Sequence, residues 1–421
     1  MPQPAASRLP FRLAVLLLAA VAGTALTPAS AASLAGAHSG SPSASTARSP
    51  NLVKATAYLV SPANLIGGHY YTSLPHVADF GLTIDGALAL AATGNDNLAL
   101  KNIAGFLRGD KPDQSGKTVN YWSGIGTKYA SGGSIAKEAL LAEVIGDNPR
   151  DFGGKDLIVA LDATVCRTKS IGSGSPCAGP GNYRYASSVF DQALGIVAQL
   201  RAGQAAAAKA PIAYLESLRN SDGSFPSLIP SGHDRDIDST AMAVMALALV
   251  HTSEASSDVK SGLTWIAGQQ QPGGGFHGTA GVSVNSAGLA IQALSLRAGQ
   301  YRRQILLALA FLASEQNPNG GFNADANGQP GSDLRATTQA VSGATGISFG
   351  LLFRDLNLRR AHRHAAVGPP ASGGSILPWV AVSLGLVVGI AAIVVLFSRR
   401  RRPGDPSRNN QLRQDRDQVN S

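Results

Sequence analysis

The chain has 421 residues, 44% hydrophobic and 14% charged, with two cysteines and a formal net charge of +9. That length and apolar content suffice for one sizeable core. The charge excludes little except nucleic acid: seven Arg against three Asp (+4) lie beyond residue 398, Arg8 and Arg12 add +2, and no Lys/Arg stripe with interleaved aromatics remains.

The first 32 residues read as a secretory signal peptide. Arg8 and Arg12 precede an apolar run from Leu13 to Ala22, and Ala29-Ser30-Ala31 supplies a small-residue cleavage site. Residues 33–50 are Ser, Ala, Gly and Pro with too little apolar surface to order themselves, so they read as a linker.

Between residues 51 and 364 one unit recurs six times. A Gly-rich turn with an aromatic comes first: GGHYY at Tyr70, NYWSG at Trp122, GNYRY at Tyr183, then DGSF, GGGF and GGF at Phe225, Phe276 and Phe322. A polar loop and an apolar helix follow. The helix starts are read at Asp85, Lys137, Asp191, Asp238, Asn285 and Arg335, in steps of 52, 54, 47, 47 and 50 residues. The fourth helix, DSTAMAVMALALV, is apolar on every side and has to be buried all round. Asp238, Ser239 and Thr240 offer short side chains that accept from the free N–H groups of a first turn. Ahead of most turns a second helix shows its own periodicity, as in Ile212, Leu215 and Leu218. Gly94, Gly146, Gly203, Gly299 and Gly346 stand where left-handed C-caps would close five of the six helices. Such self-similarity predicts stacked two-helix units, none able to bury its apolar face alone. Six of them suffice for an all-α (α/α)6 toroid.

Cys166 and Cys177 bound a Gly/Ser/Pro-rich loop, and outside a cell an isolated pair of this kind is most simply a disulfide. A second linker occupies 365–375. The uncharged stretch 376–398 is long enough to cross the ~30 Å hydrocarbon core, and a basic tail at 399–421 marks the cytoplasmic side. The expectation is a single-pass protein of the cell membrane, with its toroid extracytoplasmic and its C-terminus cytoplasmic.

The last three units resemble the repeats of the terpenoid cyclase and protein prenyltransferase superfamily, where an Asp/Gly-Gly-aromatic turn leads through a loop to an Asp-Thr-Ala-type helix start. The resemblance covers residues 52–346 and implies an α6/α6 barrel, which transcobalamin and intrinsic factor share. The segment Asp234-Arg235-Asp236-Ile237-Asp238-Ser239-Thr240-Ala241 is similar to the DxDDTA motif of class II terpene cyclases. In that motif the middle Asp is the general acid that protonates an alkene. Asp236 and Asp238 match it, and Ser239 stands where the last Asp would be. These two are the catalytic candidates if the chain is an enzyme, and such an acid has to be kept protonated by burial and neighbours. Prenyltransferases hold Zn²⁺ through a thiolate, whereas both cysteines here lie in one loop, so no zinc site is expected. The Cys-Gly-Glu-Gln of complement-type thioester domains is absent. Asp85, Asp191 and Asp238, at helix starts on one rim, leave room for a glycan-cleaving pair of carboxylates. No two histidines have HExxH spacing.

Extracytoplasmic placement and the likeness to transcobalamin-type members favour a membrane-anchored ligand-binding module. Its ligand would sit where helix N-termini converge with Asp85, Lys137, Asp191, Asp238, Asn285 and Arg335, and Tyr70, Trp122 and Tyr183 would line the mouth. A corrinoid or similar cofactor is the expected ligand, with a membrane uptake transporter as partner and no nucleic acid. The alternative is a terpenoid-cyclase-like or glycan-cleaving enzyme using rim carboxylates. A third is a structural cell-envelope domain whose barrel is filled by side chains.

Overall fold

A computed structural model of the chain describes residues 48–356, apart from 111, 171–175, 231, 280 and 327–329. Its helices, in chain order, are α1 (Leu52–Leu59), α2 (Phe80–Thr93), α3 (Asn97–Leu107), α4 (Val119–Ser123), α5 (Gly132–Val144), α6 (Leu157–Ala163), α7 (Val189–Arg201), α8 (Lys209–Ser217), α9 (Ile237–Leu247), α10 (Ser253–Gly268), α11 (Val284–Leu294), α12 (Arg302–Ser314) and α13 (Leu334–Ala344). Two small hairpins accompany them, β1 (Thr72–Leu74) with β2 (Val77–Ala78) and β3 (Phe276–Gly278) with β4 (Gly281–Ser283), both antiparallel. The six predicted apolar helices are α2, α5, α7, α9, α11 and α13. In α9 every residue except Asp238 is buried.

The register of these helices differs from the sequence reading, and the difference is chemical. Each cap lies ahead of the predicted start. Asp79, Ser131, Asp236, Ser283 and Asp333 accept from the N–H groups of Leu82, Ser134, Ser239, Ser286 and Ala336. Four residues after three of these caps stands a threonine that works in two directions. Thr83, Thr240 and Thr337 donate Oγ1–H to the cap carbonyls of Asp79, Asp236 and Asp333 at 2.7, 2.6 and 2.6 Å. The same hydroxyls accept from the backbone N–H of Tyr71, Phe225 and Phe322 at 3.1, 2.9 and 3.0 Å. In α7 the Oε1 of Gln192 accepts from Tyr183 N–H at 3.1 Å. All four aromatics are fully buried. The turn aromatic and the helix start are therefore one hydrogen-bonded unit. Thr240→Val keeps the shape and removes the acceptor of a buried N–H, so it should cost roughly 1–3 kcal/mol in denaturant unfolding.

The described residues divide into two compact units. One contains 48–64, 188–190 and 216–348. Here α11 packs against α9 and α13, α10 covers α9, α12 covers α11, and α1 packs on α13. Gln316 binds Asn51 through both amide ends, at 2.7 and 2.9 Å, tying the α1 cap to the end of α12. The α11–α13 crossing is so close that a Cβ on Gly343 would lie 2.2 Å from the Cα of Gly288. Backbone cannot swing aside as a side chain can. Gly343→Ala should therefore cost about 1–3 kcal/mol or more through helix displacement, read as a fall in denaturation midpoint.

The other unit contains 65–187, 191–215 and 349–356. In it α2 packs on α3 and α5, and α5 on α4 and α6. The strap 349–356 closes helix ends. Arg354 and Leu356 donate their N–H groups to the carbonyls of Val144 and Ile145, and the Arg354 guanidinium reaches Gly94 O at 2.9 Å and Asn97 Oδ1 at 3.1 Å. These are carbonyls and side chains that a helix end otherwise leaves to water. Cys166 and Cys177 form a disulfide.

One part of the expected architecture is corrected. Among the described residues no helix is long and apolar enough to cross a membrane. The longest, α10, has 16 residues and carries Glu254, Asp258 and Lys260; that is ~24 Å of helix, where a span needs about 20 apolar residues. The expected membrane helix is thus not among the helices of the described fold, and nothing in the described residues supports membrane partnership or single-pass topology. The signal peptide at 1–32, the helix at 376–398 and the tail at 399–421 lie outside the described residues.

Candidate functional site

The predicted rim residues separate once the helices have their true caps. Asp238, Asn285 and Arg335 are the second residues of α9, α11 and α13. Asp191 is the third residue of α7. Asp85 and Lys137 lie a turn deeper, in the second turns of α2 and α5, and form an ion pair at 2.7 Å.

Three aspartates of the cyclase-like segment have three different environments. Asp234 accepts from Ser227 N–H at 3.0 Å and is exposed. Asp236 holds the α9 cap, accepting from Ser239 N–H at 2.8 Å. Asp238, which the sequence reading made the cap, is thereby released from that duty. It is crowded by protein on nearly every side and only partly exposed. Burial raises its carboxyl to about 6; the neighbouring charge of Asp236 adds to the rise, and the Ser286 hydroxyl works against it.

Several polar atoms of these helix starts are under-paired. Asn285 Oδ1 and Gln339 Oε1 are buried without a hydrogen-bond partner among the described residues, and Asp238 Oδ1 and Ser286 Oγ have at most each other. They belong to three helices of one unit, α9, α11 and α13, which pack in that spatial series. Buried polar groups are almost always paired, so under-paired atoms on adjacent helices make these helix starts the candidate site. Ser286 and Gln339 were missed in the sequence. Ser286 adjoins Asn285 and was within reach of the reading, whereas Gln339 gives no local sign.

In the other unit two of the three predicted mouth aromatics are packed into the core. Tyr70 is buried and stacked on Phe106 at 4.9 Å. Tyr183 is fully buried and donates to Gln199 Oε1 at 2.6 Å. Trp122 stays partly exposed beside Phe80. Glu138, next to Lys137, is fully buried. Burial raises it to about 8, with the Ser123 hydroxyl offsetting part of the rise. Among the described residues no three His, Cys, Asp or Glu side chains are grouped to hold a metal ion.

Residues 184–323 and 248–350 match the family described as the prenyltransferase alpha-alpha toroid domain. No protein of curated function matches. Among solved structures, the type II terpene cyclase MstE from Scytonema superposes with a TM-score of 0.51 at 14% identity, covering 70% of this chain and 96% of its own. The same cyclase bound to its substrate geranylgeranyl dihydroxybenzoate gives a TM-score of 0.51 at 14% identity, with 70% and 95% covered. A protein from Actinoplanes gives 0.51 at 16%, with 70% and 98% covered.

The fold is an α/α toroid related to those of the terpene-cyclase and prenyltransferase superfamily.

None of these likenesses leads to a transcobalamin-type protein. The toroid reading therefore stands, while the membrane-anchored ligand module with a corrinoid and an uptake transporter is withdrawn. Its membrane helix is absent among the described residues, Tyr70 and Tyr183 of its mouth are core packing, and its rim pair Asp85–Lys137 neutralises itself.

Proposed function

We propose that this toroid is a terpenoid-cyclase-like enzyme in which Asp238 is the general acid. The observation that carries the reading is the buried carboxyl of Asp238, met by no group but the Ser286 hydroxyl, at a helix start already capped by Asp236. A carboxyl held at about 6 keeps its proton in mildly acidic solution, and one that is neither a helix cap nor half of an ion pair can give that proton to a bound substrate.

The step balances without a cofactor. The Asp238 O–H proton adds to the less substituted carbon of a trisubstituted alkene, whose π pair becomes the new C–H bond. The tertiary cation left behind is attacked by the π pair of a second alkene, closing a ring. Loss of a proton from the carbon beside the final cation, to water, leaves its C–H pair as a new π bond and gives a cyclic isomer of unchanged mass, and the Asp238 carboxylate regains its proton from solvent. The under-paired Asn285, Ser286 and Gln339 atoms suit a polyprenyl substrate with a polar group at one end, since a purely hydrocarbon chain would leave them so.

The test is incubation of the full chain with geranylgeraniol and with squalene at pH 5.5, followed by gas chromatography–mass spectrometry. A new isomer of the substrate's own mass supports the reading. Recovery of both substrates unchanged, under conditions where the protein is folded, removes it.

A further inference from the structure

The C-terminal ends of α5 and α7 carry an open depression of about 550 Å³ that the acid chemistry at Asp238 does not use. Its lining includes the carboxylates of Glu143, Asp147 and Asp355, the guanidinium groups of Arg150 and Arg201, and the ring of Phe353. Phe353 is 60% exposed, although Leu352 and Leu356 of the same strap are buried. The strap is thus well anchored, and it holds one aromatic ring out of the core.

Glu143 makes this more than a surface dip. Its side chain is 8% exposed. Oε2 accepts from Arg201 Nε at 3.1 Å, while Oε1 is buried with no partner among the described residues. Two of the guanidinium nitrogens of Arg201 are already engaged, Nε with Oε2 and Nη1 with the carbonyls of Phe349 and Gly350 at 3.2 and 2.9 Å. A glutamate's terminal torsion is broad, so a donor entering the depression can draw Oε1 round. The unmet acceptor is the side of the site that gains most from a ligand.

The charges choose the class of ligand. Three carboxylates oppose an anion and two guanidinium groups oppose a cation, and the pairs Arg108–Asp147, Arg150–Asp156 and Arg201–Glu143 already balance most of that charge. A neutral molecule with many hydroxyls meets both sets, since each hydroxyl can donate to a carboxylate and accept from a guanidinium. Such a molecule, when ring-shaped, also has an apolar C–H face that can lie on an exposed aromatic ring. The volume falls in the range of small-ligand sites. We propose that this depression binds a sugar, with its C–H face on Phe353 and its hydroxyls between Glu143 and Arg150. The site is independent of the reaction assigned to Asp238.

Saturation-transfer-difference NMR on the full chain with glucose, N-acetylglucosamine and trehalose at millimolar concentration tests it. Transfer to the C–H protons of at least one sugar is expected. Phe353→Ala, a change at an exposed residue, should weaken that binding by about tenfold with an unaltered circular dichroism spectrum. Glu143→Gln should weaken it as well, and Phe353→Ala keeps the test intact where Glu143→Gln unfolds the chain. Absence of transfer from all three sugars overturns the proposal. So does sugar binding that Phe353→Ala leaves unchanged, or competition by choline or sulfate for the same protons.

Discussion

Asp238→Asn is expected to lower turnover by about 10²–10⁴-fold, the usual worth of a positioned general acid, while the protein stays folded. The fold survives because the α9 cap is Asp236, whose carboxylate accepts from Ser239 N–H at 2.8 Å. The amide of Asn has nearly the shape of the carboxyl and no proton acidic enough to give. The pH profile carries the sharper evidence. The active form of Asp238 is protonated, so kcat should fall as pH rises through about 6. Asp236→Asn keeps a competent cap but deletes the charge that helps raise Asp238, so the falling limb should move to lower pH. Ser286→Ala removes the hydroxyl that lowers Asp238, so the limb should move the other way. Steady-state kinetics of the three variants from pH 4.5 to 8 decide the matter. A limb that stays in place in both positioning variants would mean that another group supplies the proton.

Raising the pH from 5 to 9 should destabilise the protein by several kcal/mol, and Glu138 is the largest contributor. In the folded state its carboxyl is raised to about 8 against an ordinary 4.5, by burial with no compensating partner beyond the Ser123 hydroxyl. The folded protein therefore holds a proton that the unfolded chain has released across that window. Stability falls as pH rises from the unfolded to the folded value, and flattens above it. A difference of this size corresponds to roughly 5 kcal/mol at full effect. Glu143, raised by burial to about 7 against the pull of Arg201, and Asp238, raised to about 6, act in the same direction at lower pH. Between pH 7 and 8 Glu138 is therefore the main group still changing its charge. Over that interval the wild type should lose about 1 kcal/mol more than Glu138→Gln. Urea unfolding at half-unit steps reads this slope. Parallel curves for the two proteins would show that Glu138 is already ionised in the fold.

Much of the architecture was legible because it is written locally. Six apolar helices, each preceded by a glycine-rich turn with an aromatic, can be found by eye, and all six exist. Gly94, Gly146, Gly203 and Gly346 do take positive φ at the helix ends. Gly299 does not, because a short 3₁₀ turn at Ser295–Arg297 intervenes after α11. The aromatic of the first unit was assigned one residue early: Tyr71, not Tyr70, occupies the place that Phe225 and Phe322 hold over their threonines. Adjacent tyrosines offer the same composition, and only the partner hydroxyl tells them apart.

The candidate site was half legible. The Asp-x-Asp spacing at 236–238 drew attention to the right segment, but roles within it could not be assigned from spacing. Residues on the chain alone determined that two-helix units repeat, that their inner helices are buried, and that polar groups gather where those helices begin. Periodicity and turn chemistry are short-range, and they survive without knowledge of neighbours. Tertiary structure decided which polar groups are satisfied. Antiparallel bridges from Phe225 to Asp236 and from Phe322 to Asp333 fix where each helix starts, which hands the cap to Asp236 and releases Asp238 from it. The same packing pairs Asp85 with Lys137 and buries Glu138 beside them. Whether a carboxylate is a cap, half of an ion pair or a buried acid depends on atoms that other helices bring to it, and no local pattern encodes those.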